Sequence, residues 1–339
     1  MMRSVGRHRR IGVAVALAWL AGSGVLLGCR KKPASFSRAS VLSQLAASYP
    51  DATLPADDLP AGVVADEELV YAPSPAGGDL VLDLYRPARP GPHPVVIVVH
   101  GGGWERGDRR MERPFAKQLA ARGLAAAPVS YRLGAAGRFP GALFDLESAV
   151  RWLRAHAARY DLDPARVGAV GGSAGGYLVA LLGVSAGTPG LEGGQGMTGV
   201  GDARVQAVVD IDGLADFTGP ALVAKEEKNP GAPTRFLGGS FAERVASWRL
   251  ASPITHVRAD SAPTLFINSS ATSGAPRAGA PILPGRPEMR DRLRALGVAS
   301  DLVTIPDTPH PFWLVQPWFD GVVARTEAFF KQQLRGKTR

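Results

Sequence analysis

VGAVGGSAGG, residues 167–176, is the stretch from which the rest of the chain can be read. Residues 167–170 form a short apolar strand and residues 174–184 an apolar helix. Between them Ser173 is flanked by Gly171-Gly172 and, after Ala174, by Gly175-Gly176. A serine carried on so sharp a strand-to-helix turn needs small neighbours, because the chain doubles back on itself. The following helix aims its first amides and the positive end of its dipole at the same point. A phosphate-binding loop could use these glycines too, but no lysine follows them here. The stretch therefore predicts a nucleophile elbow. Ser173 is its nucleophile, and the Ala174 N–H is a donor to any oxyanion formed there.

Working outward, strands and helices alternate. Residues 79–85 (DLVLDLY) alternate polar and apolar side chains, as expected of a half-buried antiparallel strand near a sheet edge. Residues 94–100 (PVVIVVH) are a β-branched run, as expected of a strand covered on both faces. Helices are predicted at 113–123, 144–160, 287–297 and 319–334, and further strands at 124–131, 205–211, 264–268 and 302–305. This order predicts an α/β fold with one mostly parallel central sheet and helices on both faces. Gly- and Pro-rich stretches at 187–203, 213–235 and 271–287 read as surface insertions that shape a cleft.

Two further clusters carry chemistry. His100-Gly101-Gly102-Gly103-Trp104 closes the 94–100 strand. With no side chains in the way, the glycine backbone can turn two N–H groups into the cleft and complete an oxyanion hole with Ala174. His100 itself reads as structural, and Trp104 serves either a pocket wall or packing. The second cluster is Pro309-His310-Pro311, after the last strand and before the last helix. His310 there is the expected general base. His8, His93, His156 and His256 fall in the leader, before a strand, on a helix and after a turn, where they fit worse. No His, Cys, Asp or Glu cluster has metal-ligand spacing, so neither metal nor cofactor is expected.

The N-terminus reads as a leader. MMRSVGRHRR precedes an apolar run at 11–27 that ends Leu26-Leu27-Gly28-Cys29, and Cys29 is the single cysteine of the 339 residues. A basic start, an apolar run and a large-small-Cys ending are the layout of a lipoprotein signal peptide over residues 1–28, with lipidation at Cys29. An internal disulfide is excluded. Residues 29–61, rich in Ser, Ala and Pro, read as a tether with one short helix, and 62–335 as the folded domain. The formal charge of +9 includes Arg3, Arg7, Arg9 and Arg10. No basic run interleaved with aromatics appears in the body of the chain, so no nucleic-acid partner is expected, and the membrane is expected only through the lipid anchor.

These features resemble the α/β-hydrolase superfamily of esterases and lipases, and especially its carbohydrate-esterase branch of acetylxylan, feruloyl and pectin esterase-like enzymes. The resemblance rests on HGGGW at 100–104, SYRL at 130–133, RVGAVGGSAGG at 166–176, SPITHV at 252–257 and the His310 loop. It implies an α/β-hydrolase fold and hydrolysis of short acyl or methyl esters through an acyl-enzyme, with Gly102, Gly103 and Ala174 binding the oxyanion. The substrate would be a plant-type polysaccharide or its fragments. The resemblance fails at the acid. The family pattern places an aspartate just beyond the 264–268 strand, where this chain has Thr272. Asp212, at the end of the preceding strand, and Glu288, after the 271–287 insertion, are the candidates, with Asp212 preferred. A lipase or peptidase on the same scaffold, and a non-catalytic carbohydrate-binding protein, remain the alternative readings.

Overall fold

The computed structural model describes residues 36–73, 78–193, 201–270 and 283–335. Cys29, the predicted signal peptide, Thr272 and most of the 271–287 insertion lie outside them. Among the described residues the strands are β1 (Val63–Ala72), β2 (Leu80–Pro87), β3 (His93–Val99), β4 (Ala125–Val129), β5 (Leu162–Gly172), β6 (Ala207–Ile211), β7 (Thr264–Ser269) and β8 (Ser300–Ile305). They form one sheet in the order β1-β2-β4-β3-β5-β6-β7-β8. β1, β2 and β4 pair antiparallel, and every pairing from β4 onward is parallel.

Among the described residues the helices are α1 (Arg38–Leu45), α2 (Arg113–Ala121), α3 (Gly141–Ala155), α4 (Ala174–Val184), α5 (Pro220–Lys228), α6 (Ala232–Leu237), α7 (Phe241–Ala251), α8 (Arg286–Ala295) and α9 (Phe319–Gln333). The period-2 alternation of β3 divides the core into two layers. Val95, Ile97 and Val99 pack with α3 and α4, while Val96 and Val98 pack with α1, α2 and α9. α4 is apolar all round because it is buried all round; of its residues only Gly183 escapes full burial.

The described part of the predicted tether carries a short helix, α1, that packs against the sheet's second core layer. Ser37 and Ser40 form a capping box at the start of α1, and Val41 and Leu45 are buried in the second core layer. Two valine- and leucine-sized side chains give α1 enough apolar surface to hold it down. β2 is buried on nearly every residue rather than alternately, because it lies inside the sheet between β1 and β4. The 213–235 stretch, read as a surface insertion, contributes α5, most of α6 and the buried side chains of Leu214, Phe217 and Leu222.

Candidate active site

The site stands at the carboxyl ends of the parallel strands, where connections of such sheets converge. Ser173 occupies the turn from β5 into α4 with φ +56° and ψ −118°, a conformation that non-glycine residues seldom adopt. Its N–H donates to the Ile211 carbonyl at 2.8 Å, and its carbonyl accepts the Tyr177 N–H at 3.0 Å. The flanking glycines are needed for space. A Cβ at Gly172 would fall on the Trp313 indole, one at Gly175 on the Val99 carbonyl, and one at Gly176 on the Asp210 carboxyl.

His310 lies on the loop after β8. Its Nε2 is 2.9 Å from Ser173 Oγ and its Nδ1 is 3.0 Å from Asp212 Oδ2. An ionised carboxylate only accepts, so Nδ1 carries the proton and Nε2 is left to accept the Ser173 hydroxyl. The loop is pinned to the end of β7. The Ser270 N–H donates to Thr308 Oγ1 at 2.9 Å, and the Thr308 N–H donates to Ser270 Oγ at 3.0 Å. Trp313 sets its ring edge-on to the imidazole, 5.7 Å between centroids.

Asp212 follows β6 with φ +51° and is fully buried. Its Oδ1 accepts the Ser269 N–H at 2.8 Å and Arg286 Nη1 at 3.2 Å; its Oδ2 accepts the Ser269 hydroxyl at 2.5 Å besides His310. Burial pushes the Asp212 carboxyl up, but His310, then Arg286 and Ser269, outweigh it and hold it below the usual range. Glu288 does not join the cluster; it is exposed in the first turn of α8. His310 Nδ1 is already engaged by Asp212.

Strand alternation places Asp210 and Asp212 on one side, yet the chain leaves the strand at Asp212. Asp210 stays within β6, fully buried, and accepts the Gly213 N–H at 2.6 Å. Burial pushes it up to about 7 against the opposing charge of Arg286. Arg286 and Ser269 escaped the sequence reading. Arg286 sits in a Gly-Arg-Pro start of a helix 74 residues from Asp212, and no spacing rule links the two.

Beside Ser173, the glycine loop turns with φ +121° at Gly102 and +64° at Gly103. Among the described residues, the N–H groups of Gly102, Gly103 and Ala174 donate to no backbone carbonyl outside the helices and strands. His100 is structural. Its Nδ1–H donates to the Gly101 carbonyl at 2.8 Å and its ring stacks on Tyr131 at 4.4 Å. Burial lowers its pKa to about 4, leaving it neutral at neutral pH. Trp104 both packs, stacked on Phe236 at 4.5 Å, and lines a cavity of about 150 Å³ at Ser173. Gly103, Ala174, Leu214, Leu222 and Leu283 complete most of that wall, with Lys225 at its polar side. Larger grooves of about 580 and 690 Å³ elsewhere on the surface contain none of the Ser173–His310–Asp212 line. Chemistry rather than size marks this site. Among the described residues no group of three His, Cys, Asp or Glu side chains is placed to hold a metal ion.

Comparison with known proteins agrees with the fold. The chain is 31% identical over 192 residues to a probable carboxylic ester hydrolase, LipM, of Mycobacterium tuberculosis, covering 55% of this chain and 43% of LipM. It is 29% identical over 282 residues to esterase LipC of the same organism, covering 78% of this chain and 64% of LipC. The chain thus spans about two fifths to two thirds of these relatives' lengths. The solved structure of a truncated carbohydrate esterase from gut microbiota superposes with a TM-score of 0.64 at 22% identity, over 83% of this chain and 99% of that one. At that identity the likeness speaks for the α/β-hydrolase fold. The family model described as BD-FAE matches residues 82–279, a span running from β2 past the elbow and Asp212 to the end of β7 and beyond, and the chain belongs to the BD-FAE family.

Proposed function

We propose that the protein is a serine carboxylesterase that hydrolyses short acyl or methyl esters through an acyl-enzyme. The observation that carries this reading is the unbroken line Ser173 Oγ–His310 Nε2 at 2.9 Å and His310 Nδ1–Asp212 Oδ2 at 3.0 Å, set on a strained elbow. Ser173 Oγ attacks the ester carbonyl while its proton passes to His310 Nε2. The carbonyl oxygen becomes an oxyanion facing the N–H groups of Gly102, Gly103 and Ala174, each worth a few kcal/mol in the transition state. The C–O bond then breaks and the alcohol leaves with the proton from His310. Water, deprotonated by the same nitrogen, attacks the acyl-serine and releases the acid. Asp212 keeps the imidazole in its Nδ1–H form and stabilises the imidazolium.

The cavity of about 150 Å³ supports a small acyl group. A carbohydrate substrate, as the alcohol part of an acyl ester or the acid part of a methyl ester, is proposed from the resemblance of the HGGGW, elbow and His310 segments to carbohydrate esterases. The esterase names of LipM and LipC support the reaction class alone. Export and lipid anchoring at Cys29 are proposed from the leader sequence.

Hydrolysis of p-nitrophenyl acetate, butyrate and octanoate, with Ser173→Ala as control, tests the reading. Expected is acetate turnover that vanishes in the variant and falls with chain length, with acetylated xylan and methylated pectin as the next substrates. Wild-type protein that neither hydrolyses these esters nor reacts with a fluorophosphonate at Ser173 would overturn it in favour of a binding protein.

A further inference from the structure

Asp212 faces more than His310. Its two oxygens divide their partners: Oδ2 serves His310 and the Ser269 hydroxyl, while Oδ1 serves the Ser269 N–H and Arg286 Nη1. We propose that Arg286 is a positioning residue for the reaction, its guanidinium fixing the Asp212 carboxylate and, through it, the orientation and proton affinity of His310. This inference rests on the esterase reading above.

Arg286 is 1% exposed. An arginine is buried so completely only where a paired charge compensates the loss of water. The pairing is also built into the backbone. The N–H groups of Ala215 and Asp216 donate to the Pro284 carbonyl at 3.2 and 3.1 Å, two residues before Arg286. Gly285 turns with φ +90°, and a Cβ there would fall on Asp216 at 2.5 Å. The start of α8 is therefore fastened to the same 212–216 segment that carries the acid. Guanidinium and carboxylate are held to each other by main chain as well as by charge.

The charge balance requires such a cation. Asp210 and Asp212 both have 0% exposure and stand two residues apart on one strand end. Two carboxylates so placed, with no cation, cannot both stay ionised. Arg286 touches Oδ1 of Asp212, while Asp210 accepts the Gly213 N–H instead. The negative charge is thereby kept on the carboxylate that faces the imidazole. Arg286 also adds a positive charge near the position where the imidazolium forms. Among the described residues, Asp210, Asp212, His310 and Arg286 are charged or titratable groups of this cluster, and that cation bears on the proton affinity of the Asp212–His310 pair.

Arg286→Met and Arg286→Lys separate this role from simple packing. The measurements are kcat and KM on p-nitrophenyl acetate, and the rate of fluorophosphonate reaction at Ser173 from pH 5 to 9, each per folded protein counted by thermal melting. Expected for Arg286→Met is a fall of about tenfold or more in kcat and in the Ser173 reaction rate, with KM within about threefold. Removing the cation eases protonation of the Asp212–His310 pair, so the acid limb of both profiles moves up by about half a pH unit or more. Arg286→Lys, which keeps the charge and loses the fork, returns the acid limb to wild type and recovers only part of kcat. Rates within about twofold of wild type and an unmoved limb in Arg286→Met overturn the inference. So does a rate loss explained by unfolded protein with the limb unmoved. Should Arg286→Met fail to fold, Arg286→Lys decides alone: full kcat overturns the proposal, and a several-fold loss at an unmoved limb sustains it. An inert wild type that ignores the fluorophosphonate defeats the esterase reading and this inference with it; an active wild type with an indifferent Arg286→Met defeats this inference only.

Discussion

Ser173 and Asp212 share a backbone peculiarity: both are non-glycine residues with positive φ, +56° and +51°. Each such conformation costs on the order of 1–3 kcal/mol and persists only where the surroundings impose it. Here each strand-end residue donates its N–H to the end of the neighbouring strand, Ser173 to Ile211 and Asp212 to Ile267. The ladder thus continues one step past the strands and aims two side chains at one imidazole. Asp212→Asn keeps this shape but puts an amide where an acceptor-only group stood, which favours the wrong imidazole tautomer. Expected is a kcat loss of roughly 10³ to 10⁴ at nearly unchanged KM, measured on p-nitrophenyl acetate. Activity within about threefold of wild type would remove Asp212 from the mechanism. Ser173 and His310 were legible from local sequence, because small neighbours and a place after the last strand are local facts. Asp212 was legible only as a preference over Glu288. Which strand end meets His310 depends on the relative reach of loops, and that is a property of packing. Arg286 left no trace, since burying an arginine depends wholly on a partner far away in the chain.

The elements read with similar unevenness. β3, β5 and α4 were plain in the sequence because continuous apolar runs leave few alternatives. β1 was missed: its VVADEELVYA carries exposed acids along a sheet edge, with register shifts that break the alternation. α1 was expected only as an unplaced short helix within a tether, because eight residues with two buried side chains give little periodic signal. Glu112, at the N-cap of α2, is buried and accepts Trp313 Nε1 at 3.5 Å, and Trp313 in turn backs Gly172 and meets His310. Burial pushes the Glu112 carboxyl up to about 7, against Trp313 and the charge of Arg38. The folded chain then holds this proton to higher pH than the unfolded chain does. Its contribution is complete below the ordinary glutamate range and is lost as pH rises through about 7. Glu112→Gln keeps an acceptor and removes the titration. Between pH 5 and 8 the wild type is expected to lose about 1–3 kcal/mol more stability than the variant. In melting curves this is a difference of about 2–4 °C per kcal/mol. Parallel melting curves across that range would show that Glu112 does not titrate there.

Over the whole molecule, residues from positions 102 to 310 meet at one end of a single sheet. That convergence is why the site could be assembled only in part from linear sequence. Among the described residues, α1 is the N-terminal edge of the two-layer core. The proposed anchor at Cys29 precedes the first residue of α1, Arg38, by nine positions in the sequence. Expressed with its leader, Cys29→Ala is expected to move the protein from the membrane fraction to the soluble fraction while turnover per molecule stays at wild type. An unchanged distribution would rule out lipidation at Cys29. The proposed acid stands at the end of β6, and among the described residues the end of β7 contributes the Ser269 and Ser270 clasps. A carboxylate supplied from β6 makes one just beyond β7 redundant, so the threonine that the sequence carries at position 272 leaves the proposed triad whole.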